Sequence, residues 1–215
     1  MDARARDELE RQIRLRWEAR DYNGAAETAI RGYGPEIFGF LVAFHHDEED
    51  AAEVFSRVTE RLWSGLERFS WQSSFRTWLY VVARNTSLRY RREAQQRARR
   101  MVPLPDGSAL SAIAAQVRSE TMSALRSQKK DWVAAMRDAL PEEDRMLLVL
   151  RVDKGLAWTD LARVMHEDGE KEMDDEEVRR EAARLRKRFQ LVKERLLAAR
   201  RGSDETNDGK GGSGG

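Results

Sequence analysis

The chain of 215 residues contains no cysteine. That excludes a disulfide framework, a thiolate metal site and a cysteine nucleophile, and it leaves any redox sensing to a partner. Only four prolines interrupt it, so long helices have few obligatory breaks. No apolar run approaches the roughly 20 residues that a membrane span requires. The stretch Met1 to Trp17 is too charged for a signal peptide. The expectation is a cytoplasmic protein without a membrane span. Strand-like alternation is scarce, and the abundance of Ala, Leu, Arg and Glu points to an all-α protein. A hydrophobic share of 40% against 36% charged is that of a globular chain. Its length has room for one large or two small domains, each able to bury a core without metal or disulfide support.

A net charge of only +1 conceals how the charges are distributed. From Arg76 to Arg100, arginines at 76, 84, 89, 91, 92, 97, 99 and 100 face one acid, Glu93. Between Glu167 and Glu177 the imbalance has the opposite sign. Fields act over about a Debye length, ~8 to 10 Å in ordinary salt, so the basic zone can attract a polyanion even though the whole chain is nearly neutral. The plainer alternative is an ordinary solvated face, but so lopsided a run beside aromatics favours polyanion binding.

Helical periodicity organises the rest. Asp7 to Arg20 reads as a first helix with Leu9, Ile13 and Trp17 on one stripe, closed by a turn at Asp21 to Gly24. Ala25 to Phe44 reads as a second helical segment, with a break expected near Gly32, Gly34 and Pro35. A polar turn at His45 to Asp47 precedes a third helix, about Glu49 to Leu66, whose outward residues include Glu53, Arg57, Glu60 and Arg61. After the connection Ser70 to Ser74, where Ser73 or Ser74 is placed to cap, comes a basic, aromatic helix from Phe75 to Arg92. There Phe75, Trp78, Leu79, Val82 and Ala83 line one face, while Arg76, Tyr80, Arg84 and Arg91 share another. Arginine beside an aromatic on one face suits gripping phosphates and stacking bases.

Pro103, Pro105, Asp106 and Gly107 mark a boundary. Beyond it, Leu110, Ile113, Val117 and Leu125 keep a helical period, so the linker is expected to be partly helical. Trp132, Val133, Met136 and Leu140 open a second module, which continues through Pro141 to Arg151, a turn at Asp153 to Gly155, and Trp158 to Met165. The last helix, about Asp175 to Arg200, carries Val178, Ala182, Leu185, Phe189, Val192 and Leu196 on one stripe. Short helix, tight turn, short helix and longer basic helix form a helix-turn-helix pattern. The tail from Gly202 is expected to be disordered. The fold expected is two small helical domains, 1–93 and 130–201, joined by a partly helical linker, 94–129, and followed by a tail, 202–215.

Three quoted stretches of the first module, GPEIFGFL, DEEDAAEVFSRVTERLW and SSFRTWLYVVARN, together resemble region 2 of bacterial sigma factors of the extracytoplasmic-function (ECF) group. In the second module, ALPEEDRMLLVLRVDKGLAWTDLARVM resembles the start of their region 4. The resemblance implies an RNA polymerase initiation subunit. Its partners would be the polymerase core, through the clamp and flap, then promoter DNA and an anti-sigma factor. It implies that Asp50, Glu53, Arg57 and Arg61 dock on the clamp of the largest subunit. It implies that Trp71, Gln72, Ser73, Arg76, Tyr80, Arg84, Asn85, Arg89 and Arg92 engage and melt the minus-ten element. Arg179, Arg180, Arg184, Lys187 and Arg188 would read the minus-thirty-five element in the major groove. Where the family commonly has a Gln-Glu pair on the clamp-binding helix, this chain has Ser56 and Arg57. The acidic run HEDGEKEMDDEE also separates Met165 from Val178, where relatives have a few residues; Asp174 or Asp175 is placed to cap the helix that follows.

Plainer readings stand beside these. The spacing of Phe75, Trp78 and Leu79 is that of a buried stripe, whereas Trp71 and Tyr80 are open to either core or contact. His45, His46, Asp47 and Glu48 suggest a solvated turn rather than a metal site, since neighbours on a turn rarely converge on one ion. The acids form no catalytic pair, so no enzyme activity, cofactor or metal is assigned. Two other functions fit parts of the chain: a helix-turn-helix regulator that does not join polymerase, and a helical adaptor whose basic face serves a protein or an RNA.

Overall fold

The computed structural model describes residues 1–97, 139–166 and 173–208. All regular structure among them is helical. They fall into two compact units: 1–97 with 163–166, and 139–162 with 173–208. The boundary residues 103–107, the periodic linker positions 110–125, the start of the second module at 132–136, much of the acidic run and the end of the tail lie outside the described residues.

Among the described residues, four helices build the 1–97 part of the first unit. Helix α1 (Ala3–Glu18) begins where Asp2 accepts the Ala5 N–H, and its buried residues are Leu9 and Ile13. Arg20 turns the chain with a positive φ of 58°, and Asp21 caps α2 (Tyr22–His45) through the Gly24 N–H. Helix α2 is the central one. Ile30, Tyr33, Ile37, Phe38, Phe40, Leu41 and Phe44 are all buried, each apolar side chain contributing roughly 1.5–3 kcal/mol.

The expected break near Gly32, Gly34 and Pro35 does not occur, and α2 runs through them. Pro35 faces solvent, where water can satisfy the carbonyl that its missing N–H leaves unpaired, while the buried residues on the other side hold the helix together.

His46, in the left-handed region at φ 58°, ends α2, and Asp47 caps α3 (Glu48–Gly65) by accepting the Asp50 N–H at 2.7 Å. Three acids in the first turn of α3 complement its dipole. A 3₁₀ turn, Leu66–Arg68, leads to the Trp71 loop and then α4 (Phe75–Arg97), which continues past the expected end at Arg92. Helices α3 and α4 pack on α2, with Phe38 against Phe55 at 5.4 Å and Phe40 against Tyr80 at 5.6 Å between ring centroids.

In the second unit, α5 (Glu142–Leu148) widens into a π-turn, Val149–Asp153, where the Lys154 N–H reaches the Val149 carbonyl. Gly155 supplies the positive φ of 64° that brings the chain into α6 (Trp158–Met165), of which residues 158–162 belong to this unit. Helix α7 spans Asp175–Asp208. The tail expected to be disordered from Gly202 is therefore helical as far as Asp208. One glycine in a helix costs only about 1 kcal/mol, and no proline follows to end it. Val178, Ala182, Leu185 and Val192 are buried, as the stripe requires, and Trp158 packs edge-on against Phe189 at 5.6 Å.

Candidate nucleic-acid interface

The site is built at the start of α4. Ser74 caps the helix locally, its Oγ accepting the Thr77 N–H at 3.0 Å. The two preceding amides are taken by a residue far away in the chain. Glu10 of α1 accepts the Phe75 N–H at 2.8 Å with Oε2 and the Arg76 N–H at 2.9 Å with Oε1. Its Oε1 also accepts the Tyr33 hydroxyl at 2.7 Å. Burial raises the Tyr33 hydroxyl pKa above its ordinary value, and the Glu10 carboxylate adds to the effect.

Trp71, three residues before Ser74, lies in the left-handed region at φ 59°. Such a conformation costs roughly 1–3 kcal/mol for a bulky residue, so the surroundings must hold it. They do so through the ring, which packs on Phe69 at 4.9 Å, Trp17 at 6.0 Å and Phe75 at 6.2 Å, with the Arg14 guanidinium 5.3 Å from its centroid. Aromatic pairs at about 0.5–1.5 kcal/mol and a cation–π contact at about 0.5–1 kcal/mol together offset the strain. Trp71 is half-buried, and its Nε1 has no hydrogen-bond partner among the described residues. Gln72 beside it is exposed and Ser73 partly so. Trp71 thus anchors the loop yet retains some accessible surface.

The expected outward face of Arg76, Tyr80, Arg84 and Arg91 is not found. Tyr80 is fully buried and donates to Glu36 Oε1 at 2.8 Å. Desolvation holds its hydroxyl pKa well above the ordinary value, with the Glu36 charge adding to it. Arg76 bonds the same carboxylate, Nε to Oε1 at 2.9 Å, and lies over the Tyr80 ring. Burial disfavours its charge, but the hydrogen bonds and charge of Glu36 outweigh that and raise its pKa. Arg84 is buried, and its Nη1 donates to the His166 carbonyl of the same unit at 3.0 Å. Arg91 is half-buried over the Phe44 ring. The physical reason is the partner helix: Glu36 on α2 draws inward two residues that helical spacing alone places outside. Farther along, Asn85 is half-buried, Arg89 is exposed and bonded to Glu93 at 3.1 Å, and Arg92 is exposed.

Two of the four predicted docking residues on α3, Asp50 and Arg57, meet α4. Asp50 accepts the Tyr90 hydroxyl at 2.5 Å. Arg57 bonds Glu53 at 2.9 Å and Glu93 at 2.7 Å, and lies 5.2 Å from the Tyr90 centroid. Glu53 and Glu60 are exposed, whereas Arg57 and Arg61 are half-buried rather than fully outward. Ser56 and Arg57 stand in the positions noted above. The extra guanidinium is absorbed by two carboxylates, one from each helix. Trp63, on the same helix, is exposed.

In the second unit, Asp174 caps α7 by accepting the Glu176 and Glu177 N–H groups at 2.8 Å, while Glu177 returns a bond to the Asp174 N–H at 3.0 Å. Arg179, Arg180 and Lys187 are exposed. Arg184 is exposed and bidentate to Glu181. Arg188 differs from these. It bridges Glu143 and the buried Asp144, ion pairs that tie α7 to α5.

Sequence reasoning missed Glu10, Arg14, Tyr33 and Glu36, all of which support the site from α1 and α2. On α1, Glu10, Arg14 and Trp17 recur at i, i+4 and i+7, which places them on one face. That spacing was the available signal, although nothing in it names the loop they meet. Among the described residues no cluster of His, Asp or Glu could hold a metal ion, and no helix is long and apolar enough to cross a membrane.

The sequence matches a known class. Residues 29–97 fit the model of the sigma-70 region 2 family. Over 151 residues the chain is 30% identical to the RNA polymerase sigma-H factor of Pseudomonas aeruginosa, covering 66% of this chain and 75% of that protein. It is 23% identical over 145 residues to the RNA polymerase sigma factor YlaC of Bacillus subtilis, covering 67% of this chain and 81% of that one. The chain belongs to the sigma-70 family of RNA polymerase sigma factors, in its ECF group, and directs transcription initiation. The family implies RNA polymerase core and promoter DNA as partners, and its members are initiation factors rather than enzymes.

Proposed function

We propose that the Trp71 loop and α4 form the promoter-opening element of this sigma factor. Opening requires a base to leave the stack, at a cost of a few kcal/mol. A side chain that stacks on the extruded base returns about 1–3 kcal/mol. Trp71 is the residue assigned to that role, with Gln72, Ser73 and Asn85 offering donors and acceptors to base edges. Arg89 and Arg92 hold the phosphate backbone. Arg76 and Tyr80 act from within, as anchors of the helix, and Arg84 is placed with them. The observation that carries this reading is the Trp71 loop itself, a large aromatic held in a left-handed conformation at the start of an arginine-rich helix.

The outward face of α3, with the exposed Glu53 and Glu60 and the half-buried Arg61, docks on the polymerase clamp. Asp50 and Arg57 contribute where they also join α3 to α4. The second unit reads the minus-thirty-five element as a helix-turn-helix, through Arg179, Arg180, Arg184 and Lys187 on α7, with Arg188 supporting that helix. The division at 94–129 serves as the linker between the two readers, and an anti-sigma factor holds the protein inactive in the cytoplasm. Reconstitution with core polymerase from the native host, followed by run-off transcription from candidate promoters, tests the reading. Core binding together with specific initiation is expected; a chain that does neither would overturn it. Co-purification from the host identifies the anti-sigma partner.

A further inference from the structure

We infer that Glu10 is a positioning residue for promoter opening, setting the angle at which the Trp71 loop leaves α4; this rests on the role proposed for that loop. The leading amides of α4 are divided between two acceptors. Ser74 takes the Thr77 N–H, a local bond that any isolated helix could make. The Phe75 and Arg76 N–H groups go to the Glu10 carboxylate, 65 and 66 residues away in sequence. Both carboxylate oxygens are engaged, and Oε1 is further fixed by the Tyr33 hydroxyl from α2. A cap of this kind joins the end of α4 to α1 as a rigid strut, and its negative charge complements the positive end of the helix dipole.

The same face of α1 holds the loop at a second point. Arg14 lies over the Trp71 ring and Trp17 packs edge-on against it. Trp17 is itself fixed, its Nε1 donating to the Leu66 carbonyl at 2.7 Å. The loop between Leu66 and Phe75 is therefore spanned by one helix, with Glu10 at its far end and Trp17 at its near end. Glu10 and the other α1 side chains lie before residue 29, where the family match begins. A carboxylate is specifically suited here. An amide has one acceptor oxygen, and its NH₂ would face a second N–H donor.

The test uses the full-length Glu10→Gln protein in reconstituted holoenzyme. Its opening rate on duplex promoter, followed by a fluorescent base analogue in the minus-ten element, is expected to fall about tenfold. Core affinity should be unchanged, and a promoter carrying a pre-melted bubble should restore initiation to near wild type. Amide hydrogen exchange should quicken at Phe75 and Arg76 while α2 and α3 keep wild-type protection. Unchanged opening would overturn the inference. So would equal losses of core binding, duplex initiation and bubble initiation, since that pattern marks a general folding defect. Should Glu10→Gln lose its helical signal, Glu10→Asp keeps the charge and shortens the reach; its opening defect should likewise be relieved by the bubble, and failure of that relief overturns the inference. If Trp71→Ala is slow to open while both Glu10 variants behave as wild type, the loop's role stands and the Glu10 inference fails. If Trp71→Ala opens normally, the underlying role of the loop fails, and this inference with it.

Discussion

Replacing Glu36 by Ala separates an internal role for Arg76 from a DNA-contacting one. Glu36 Oε1 accepts from Arg76 Nε at 2.9 Å and from the Tyr80 hydroxyl at 2.8 Å. The Arg76 and Glu36 side chains are only 12% and 21% exposed. Removing one partner of a buried pair costs about 3–5 kcal/mol, whereas an exposed pair is worth about 0–1 kcal/mol. Limited exposure places this pair nearer the first case, so Glu36→Ala is expected to cost about 2–3 kcal/mol. In a unit of roughly 100 residues, that lowers Tm by about 10–20 °C. Urea unfolding of Glu36→Ala, Arg76→Ala and the double variant should show strong coupling, the double losing much less than the sum. Single losses below about 0.5 kcal/mol that simply add would refute the argument. Promoter binding supplies an independent arm. The Arg76 charge is already matched by Glu36, so under folding conditions Arg76→Ala should leave the slope of log affinity against log salt unchanged. Arg92→Ala should reduce that slope by about 0.9, as loss of one phosphate contact does. An equal reduction with Arg76→Ala would place Arg76 on the DNA.

Trp71→Ala should slow strand opening much more than it weakens the closed complex, measured by opening kinetics beside filter binding; equal losses would make the residue purely structural. Arg188→Ala leaves Asp144, which is 4% exposed, without its closest cation, and should destabilise the second unit by about 2–3 kcal/mol in thermal unfolding. A loss confined to promoter affinity would contradict that. Hydrogen bonds from Arg57, and then Arg89, hold the Glu93 carboxyl below its ordinary pKa of 4.5. Its contribution to stability is therefore complete above pH 4.5 and is lost as pH falls through the lower folded-state value. NMR titration should show the depressed midpoint, and Arg57→Ala should move it back up.

Much of the helical frame was legible because apolar spacing reports a helix whatever it packs against. The stripe Val178 to Val192, the buried Phe75 and Leu79, and the caps at Ser74 and Asp174 follow from local rules. The unbroken α2 did not, because Pro35 and the nearby glycines carry a local signal for a break, and only the packing of the buried face of the helix overrides it. Tyr80 and Arg76 were misplaced for a related reason. Periodicity assigns residues to faces, but a face becomes interior when a neighbouring helix brings a carboxylate such as Glu36 to it. Glu10 was the least visible of all, since a glutamate on a charged helix looks like any solvated residue until the end of another helix arrives beside it.

The bond between Glu10 and the start of α4 also sets an order of assembly. Helix α1 leaves the ribosome before the other three, yet its carboxylate has no amide to receive until α2, α3 and the connecting loop have all been made. A contact across 65 residues closes late, after shorter-range pairings have brought its ends together. Among α1 to α4, the loop that carries Trp71 is then fixed after α2 and α3 have packed. A nascent chain would therefore pack α3 before the Trp71 loop was held in place.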